Sequence, residues 1–165
     1  MCIKKGEQLT SDEGHLFRQV LPKWFSDDGV PTTQAFWPWR KVDECCLSVD
    51  RSTITTAHKA FTLFTEPAPN GFNVPSGGVW SMMMSDVPEA QISLWEDALQ
   101  AAEGVPANPA HALLDFEKIP EKQREKLGRV FKVKSLARGR LFPPASPTPA
   151  ASPASPTPTH PSEAA

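Results

Sequence analysis

An arginine set between apolar neighbours must find a carboxylate or an anion, and Arg18 lies between Leu16 and Val20 on their own side of a predicted strand. An ion pair with an acid elsewhere in the chain satisfies that requirement, and so does a bound phosphate. His15 completes an H-x-x-R pair with it, but residues three apart on an extended chain face opposite sides. Thr33 and Gln34 offer a hydroxyl and an amide beside Phe36, Trp37 and Trp39. Such a group could hold a sugar, a base or a peptide, or be the polar side of a strand end under an aromatic lid. Ser48 interrupts an apolar strand, where a hydroxyl commonly bonds the local backbone. His111 shares a strand face with Asp115, yet four residues of extended chain separate them too far for contact. It reads either as a satisfied core histidine or as a proton shuttle. Arg18, Thr33, Gln34, Ser48 and His111 are thus the candidate ligand- or partner-binding residues.

Established catalytic patterns are missing around them. The chain has no phosphate loop, G-x-G-x-x-G, G-x-S-x-G, H-E-x-x-H or C-x-x-C, and it has no tyrosine. Cys45 and Cys46 are adjacent, so on a strand they point to opposite faces and chelate poorly together. Reduced, partly buried thiols are expected, with no metal site and no cofactor. No apolar run follows the first charged residues, and none is long enough to span a bilayer, so the expected location is the cytoplasm, away from membranes.

Short strands position these residues. His15–Val20, Thr32–Phe36 and Cys46–Val49 read as strands, the second stopped by Trp37-Pro38-Trp39. A helix capped by Thr53 or Thr55 carries Ala57, Phe61 and Phe64 at helical spacing and ends at Glu66-Pro67. Val79–Met84 is apolar on both faces, the mark of a central strand covered on two sides. Pro88 then opens a predicted helix over 88–103, with Ile92, Trp95, Leu99 and Ala102 as its buried stripe. Ala110–Phe116 is a further strand, and Pro120 opens a last helix that stops at Gly139. Gly128 inside that helix costs about 1 kcal/mol relative to alanine, which predicts a close backbone contact there.

The fold class that follows is α+β: a single compact domain with a mixed sheet of about five short strands and about three helices. It spans residues 1–142, with 1–13 expected to be flexible. Residues 143–165 hold eight of the eighteen prolines and no aromatic residue, and are expected to form a disordered Pro/Ala/Ser/Thr-rich tail.

The formal net charge of −2 conceals a segregation. Residues 60–117 contain no Lys or Arg and carry Glu66, Asp86, Glu89, Glu96, Asp97, Glu103, Asp115 and Glu117. The final helix carries Lys122, Arg124, Lys126, Arg129, Lys132, Lys134 and Arg138. These bases could meet nucleic acid, but an internal pairing with Glu96, Asp97 or Glu103 is preferred because the whole domain is not basic.

Several segments together resemble a family of short bacterial proteins of unassigned function. They are HLFRQV (15–20), TTQAFWP (32–38), CLSV (46–49), STITTAHKAF (52–61), GGVWSM (77–82), NPAHALLDF (108–116) and RGRLF (138–142). The likeness covers nearly all of 15–142 and departs from the pattern between Met84 and Asn108. It implies a compact bacterial domain, without a reaction, whose motif positions are Arg18, Thr33, Gln34, Ala35, Phe36, Ser48, Val49 and His111.

The leading expectation is a non-enzymatic binding or accessory protein that docks to a protein partner, given the charge segregation and a tail suited to tethering. The alternative is a small transferase or hydrolase on a nucleotide-like substrate, with Arg18 as the anion holder and Ser48 and His111 nearby. A third is nucleic-acid binding through the basic helix 120–138.

Overall fold

The computed structural model describes residues 6–10, 14–38, 45–88 and 90–144. Among them, seven strands form one sheet: β1 (Gln8–Leu9), β2 (Leu16–Val20), β3 (Cys46–Arg51), β4 (Gly78–Met82), β5 (Ser93–Glu96), β6 (His111–Asp115) and β7 (Arg140–Phe142). Their order is β1-β5-β6-β3-β2-β4-β7, and every pairing is antiparallel. The expected mixed sheet of about five strands is therefore corrected to an all-antiparallel sheet of seven. Part of the N-terminal segment expected to be flexible, Gln8–Leu9, supplies one edge by pairing with β5. The predicted tail, from residue 145 on, lies outside the described residues.

Two α-helices stand against this sheet, α1 (Ala57–Thr65) and α2 (Glu121–Arg138). Leu16, Val20, Leu47, Val49, Trp80, Met82, Leu94, Ala112 and Leu114 form one sheet face, and Phe131 of α2 packs into the same core with Phe36 and Phe116. On the other face Phe17 and Val79 meet Ala60 and Phe61 of α1 and Phe142 of β7. All five residues of β4 are buried, so it is covered on both faces as its two-sided apolarity implied, although it lies one strand in from the edge strand β7 rather than at the centre of the sheet. α1 begins at Thr56, one residue beyond the expected caps, with the Thr56 Oγ1 accepting from the Lys59 N–H at 3.2 Å. α2 stops at Gly139, whose φ of 82° is a left-handed conformation that suits glycine.

Two predicted elements are corrected. The segment expected to be a helix over 88–103 instead contains β5, and Leu99 and Ala102 sit in isolated bridges with Asn108 and Val105. Ile92 and Leu94 are buried in alternation, and β6 offers a free edge on which Leu94 falls opposite Leu114. Tertiary pairing therefore overrides the helical spacing. Thr33–Phe36, expected to be a strand, is a short 3-10 helix. Ala35 and Phe36 are both fully buried, which two successive residues of a half-covered strand cannot be.

The close contact expected at Gly128 is present: a Cβ built there would stand 2.8–2.9 Å from Trp37 Cδ1, Cγ and Cβ. Because Trp37 Cβ is tied to the backbone, the ring cannot simply swing away. Gly128→Ala is therefore expected to destabilise the fold by about 1–3 kcal/mol despite alanine's better helix propensity. Equilibrium urea unfolding measures this, and an alanine variant as stable as the parent would refute the contact.

Candidate functional site

The β2–β3 ladder is incomplete. Leu16 pairs with Arg51 and Phe17 with Asp50, and there the pairing ends, although β2 runs on to Val20 and β3 starts back at Cys46. Continued in register, Gln19 would stand opposite Ser48. Instead the Arg18 guanidinium fills this part of the gap, its Nη1 donating to the Ser48 carbonyl at 2.7 Å and its Nε to the Ala35 carbonyl at 2.7 Å. Its Cζ also lies 5.0 Å from the centre of the Trp24 ring, within cation–π range. Arg18 is buried as expected. Its hydrogen bonds to the Ser48 and Ala35 carbonyls clamp β2 to β3 and to the 3-10 helix.

A cavity of about 540 Å³ opens where the ladder parts. Arg18, Ser48 and His111, from three different strands, all line it, so three of the five candidate residues converge. Thr33 and Gln34 do not: they sit in the 3-10 helix, where Gln34 is exposed, and neither lines the cavity. His15 lies elsewhere too, its Nδ1 2.6 Å from the Ser81 Oγ. Phe64 of α1 and Phe72 and Val74 of the following loop give the cavity an apolar wall.

Asp50, Asn108 and Asp97 belong to the same region and were not among the candidate site residues, Asp97 having been expected only as a partner for the basic helix. Asp50 lies two residues beyond Ser48 on β3 and directly across from His111 of β6. It is 7% exposed and accepts from Asn108 Nδ2 at 2.8 Å. Burial pushes its carboxyl above the ordinary aspartate value, against the opposing pull of the Asn108 hydrogen bond and the nearby His111 and Arg18 charges. His111 Nδ1 lies 3.0 Å from the Asp97 carbonyl oxygen and 3.1 Å from Asp97 Oδ2. A carbonyl oxygen only accepts, so Nδ1 carries the proton and, in the neutral ring, Nε2 keeps the lone pair. Orientation of an imidazole by an aspartate is the arrangement general-base histidines use. Strand alternation could have linked Ser48 with Asp50. Nothing local in the sequence marks Asp97, which a loop brings to His111.

The cysteine expectation is also corrected. Cys46, which lines the cavity, is disulfide-bonded, and Cys45 beside it is free, with a φ of 74°. The reduced-thiol argument for a cytoplasmic location therefore lapses. Among the described residues no helix is long and apolar enough to cross a membrane, and no group of three His, Cys, Asp or Glu side chains is placed to hold a metal ion.

The basic helix pairs differently from expectation. Glu96 takes Arg51 and Asp97 takes His111, while Arg138 at the end of α2 reaches the buried Asp86 through both guanidinium nitrogens. Arg129 pairs with Glu125 of its own helix, and Lys122, Lys126 and Lys134 are exposed.

Two substitutions test this description. Arg18→Met keeps the bulk but removes the donors to two carbonyls, and is expected to cost on the order of 3 kcal/mol in urea unfolding. A near-neutral result would remove the clamp. Asp50→Asn keeps the acceptor for Asn108 and removes the buried charge. Because the folded-state pKa lies above the ordinary aspartate value of 3.8, the parent loses stability as pH rises from 3.8 through the folded value. The variant should therefore melt higher at neutral pH, on the order of 3 °C, with the advantage vanishing as pH falls toward 3.8. An advantage independent of pH would contradict the assignment.

No family model, curated protein or solved structure matches this chain, so the candidate site rests on its own geometry.

Proposed function

We propose that the protein works through a small-molecule site in this cavity, as a transferase or hydrolase on a nucleotide-like substrate, with His111 as the general base. One observation carries the reading: Arg18, Ser48 and His111 converge from three strands on a cavity that also holds the buried Asp50. A carboxylate held where its charged form is disfavoured weakens a fold, and such groups concentrate at sites of binding and proton transfer. The wall of Phe64, Phe72 and Val74 suits the flat part of a ligand, and Asp50, Asn108 and His111 suit its polar edge. Asp97 is a positioning residue that acts through the His111 ring.

The residue assignments follow from reach. With Nδ1 committed to Asp97, His111 offers Nε2 as the atom able to take a proton from a hydroxyl or a water. Ser48 stands two residue pairs along the ladder from the Asp50–His111 pair and therefore on the same face, so it can contact a ligand held against that pair.

The protein-docking expectation retains one supporting surface. The outer face of α2 exposes Lys122, Lys126, Arg129 and Val133, the last 64% exposed. An acidic partner would suit it, and nucleic acid would compete for the same bases, with log K falling with log salt by roughly one unit per phosphate neutralised.

A thermal-shift screen with nucleosides and nucleotides tests the principal reading. A ligand present at about 100 times its Kd adds roughly 2.7 kcal/mol, a shift of several degrees in a domain of this size. Turnover of a hit should fall about 100-fold or more in His111→Gln, and should fall in Asp97→Ala and be partly restored in Asp97→Glu. Silence across the panel at millimolar concentration would end the small-molecule reading.

A further inference from the structure

Buried hydrogen-bond donors without partners are rare in folded proteins, and two of them belong to residues that line the same cavity. Gln19 is 6% exposed, and its Oε1 accepts from the Ser76 hydroxyl at 2.9 Å, while its Nε2 has no partner. Trp24 also has its indole Nε1–H buried and unpaired. Both residues line the cavity together with Lys23, whose side chain is exposed and whose Nζ lies 5.8 Å from the Trp24 ring centre. An amide N–H, an indole N–H and an ammonium are all donors, and none can be satisfied by another. What they require is an oxygen acceptor brought from outside.

Their place along the strands gives the cavity a polarity. In the β2–β3 register Phe17 lies across from Asp50, and Gln19 is two residues further along β2, followed by Lys23 and Trp24 in the 3-10 helix that comes next. The Asp50–His111 pair therefore marks one end and Gln19, Lys23 and Trp24 the other, separated by roughly 10 Å of strand and turn at about 3.3 Å per residue. Among the described lining residues the carboxylate, Asp50, is at the first end, and Lys23 brings a cation to the second.

The geometry points to the Gln19–Lys23–Trp24 end as a phosphate-binding subsite, which takes the phosphoryl group of a soluble phosphorylated ligand whose uncharged ring lies toward Asp50 and His111. This rests on the small-molecule reading and deepens it. Gln19 and Trp24 donate to phosphoryl oxygens, and Lys23 supplies the mobile charge at the rim. Because both donors are shielded from solvent, the ligand reaches them only as the Gln19 and Trp24 side chains adjust about their terminal torsions. Binding is therefore expected to perturb tryptophan fluorescence.

Isothermal titration of the full chain with the four common nucleoside monophosphates, their matching nucleosides and pyrophosphate tests the subsite. At least one monophosphate is expected to bind about tenfold or more tightly than its nucleoside, the factor a charge-assisted hydrogen bond commonly brings. Pyrophosphate is expected to compete with it. Lys23→Gln, at an exposed position, should lower monophosphate affinity and flatten its salt dependence, and Trp24→Phe should lower it while leaving the nucleoside unchanged. Gln19→Glu, which places a carboxylate at the subsite, should abolish monophosphate binding and spare the nucleoside. Equal affinity for nucleoside and monophosphate, or monophosphate binding indifferent to Lys23→Gln and Trp24→Phe, would overturn the phosphate subsite and leave the cavity reading standing. Binding of none of the probes would overturn both.

Discussion

The part of this fold that most constrains the rest is the guanidinium of Arg18 between β2 and β3. An antiparallel pair ordinarily satisfies its own backbone, and a ladder that stops early leaves donors and acceptors to be dealt with individually. Here a side chain does that work, taking the Ser48 carbonyl on one side and the Ala35 carbonyl on the other. One residue thereby fixes three things at once: the distance between the two central strands, the seat of the 3-10 helix Thr33–Phe36, and the opening from which the cavity grows. A lysine could not fork to both carbonyls, and an apolar residue would leave both orphaned.

How much of this was legible in the sequence depended on whether the signal was local. β4 was readable because apolar residues on both faces mean burial on both faces, whatever lies above and below. The last helix was readable from Pro120 and Gly139, which mark its ends by their own backbone preferences. Residues 88–103 were misread because Ile92, Leu99 and Ala102 satisfy a helical spacing while Ile92 and Leu94 equally satisfy an alternation. Only the free edge of β6 decides between them. The burial of Arg18 followed from its neighbours, but its carbonyl partners did not, since Ala35 had first to be taken out of the strand assigned to it. For the cavity, the alternation of β3 put Ser48 and Asp50 on one face, whereas the meeting of Asp97 with His111 depends on a loop path that no periodicity encodes.

The charge pattern of the chain has a similar explanation. A run without bases followed by a run rich in them invites the idea that the two halves neutralise each other across an interface. The structure resolves this into separate local pairings: Asp86 with Arg138, Glu96 with Arg51, Asp97 with His111. Only the first joins the acidic middle to the basic helix, and it does so at a nearly fully buried carboxylate, 4% exposed, where an unpaired charge could not be tolerated. Of the other bases of α2, Arg129 pairs with Glu125 within the helix and Arg124 donates to the Ile119 carbonyl, while Lys122, Lys126 and Lys134 stay in water, where pairing would gain little.

Asp50 stands apart from these pairs, because nothing in the architecture requires a carboxylate there. An asparagine would accept the same hydrogen bond from Asn108 without the desolvation that raises the pKa of the acid. β3 already holds its place by pairing with β6 across five residues, so the charge is not what orders the strand. Retaining a group whose ionised form is disfavoured by burial, directly across the ladder from a histidine whose ring is held by a second aspartate, weakens the fold at one spot and places two proton-exchanging groups side by side. The same opening that Arg18 props apart gives a ligand access to that pair. Structural clamp and candidate chemistry are therefore two consequences of one interrupted ladder, and a sheet zipped along its whole length would have provided neither.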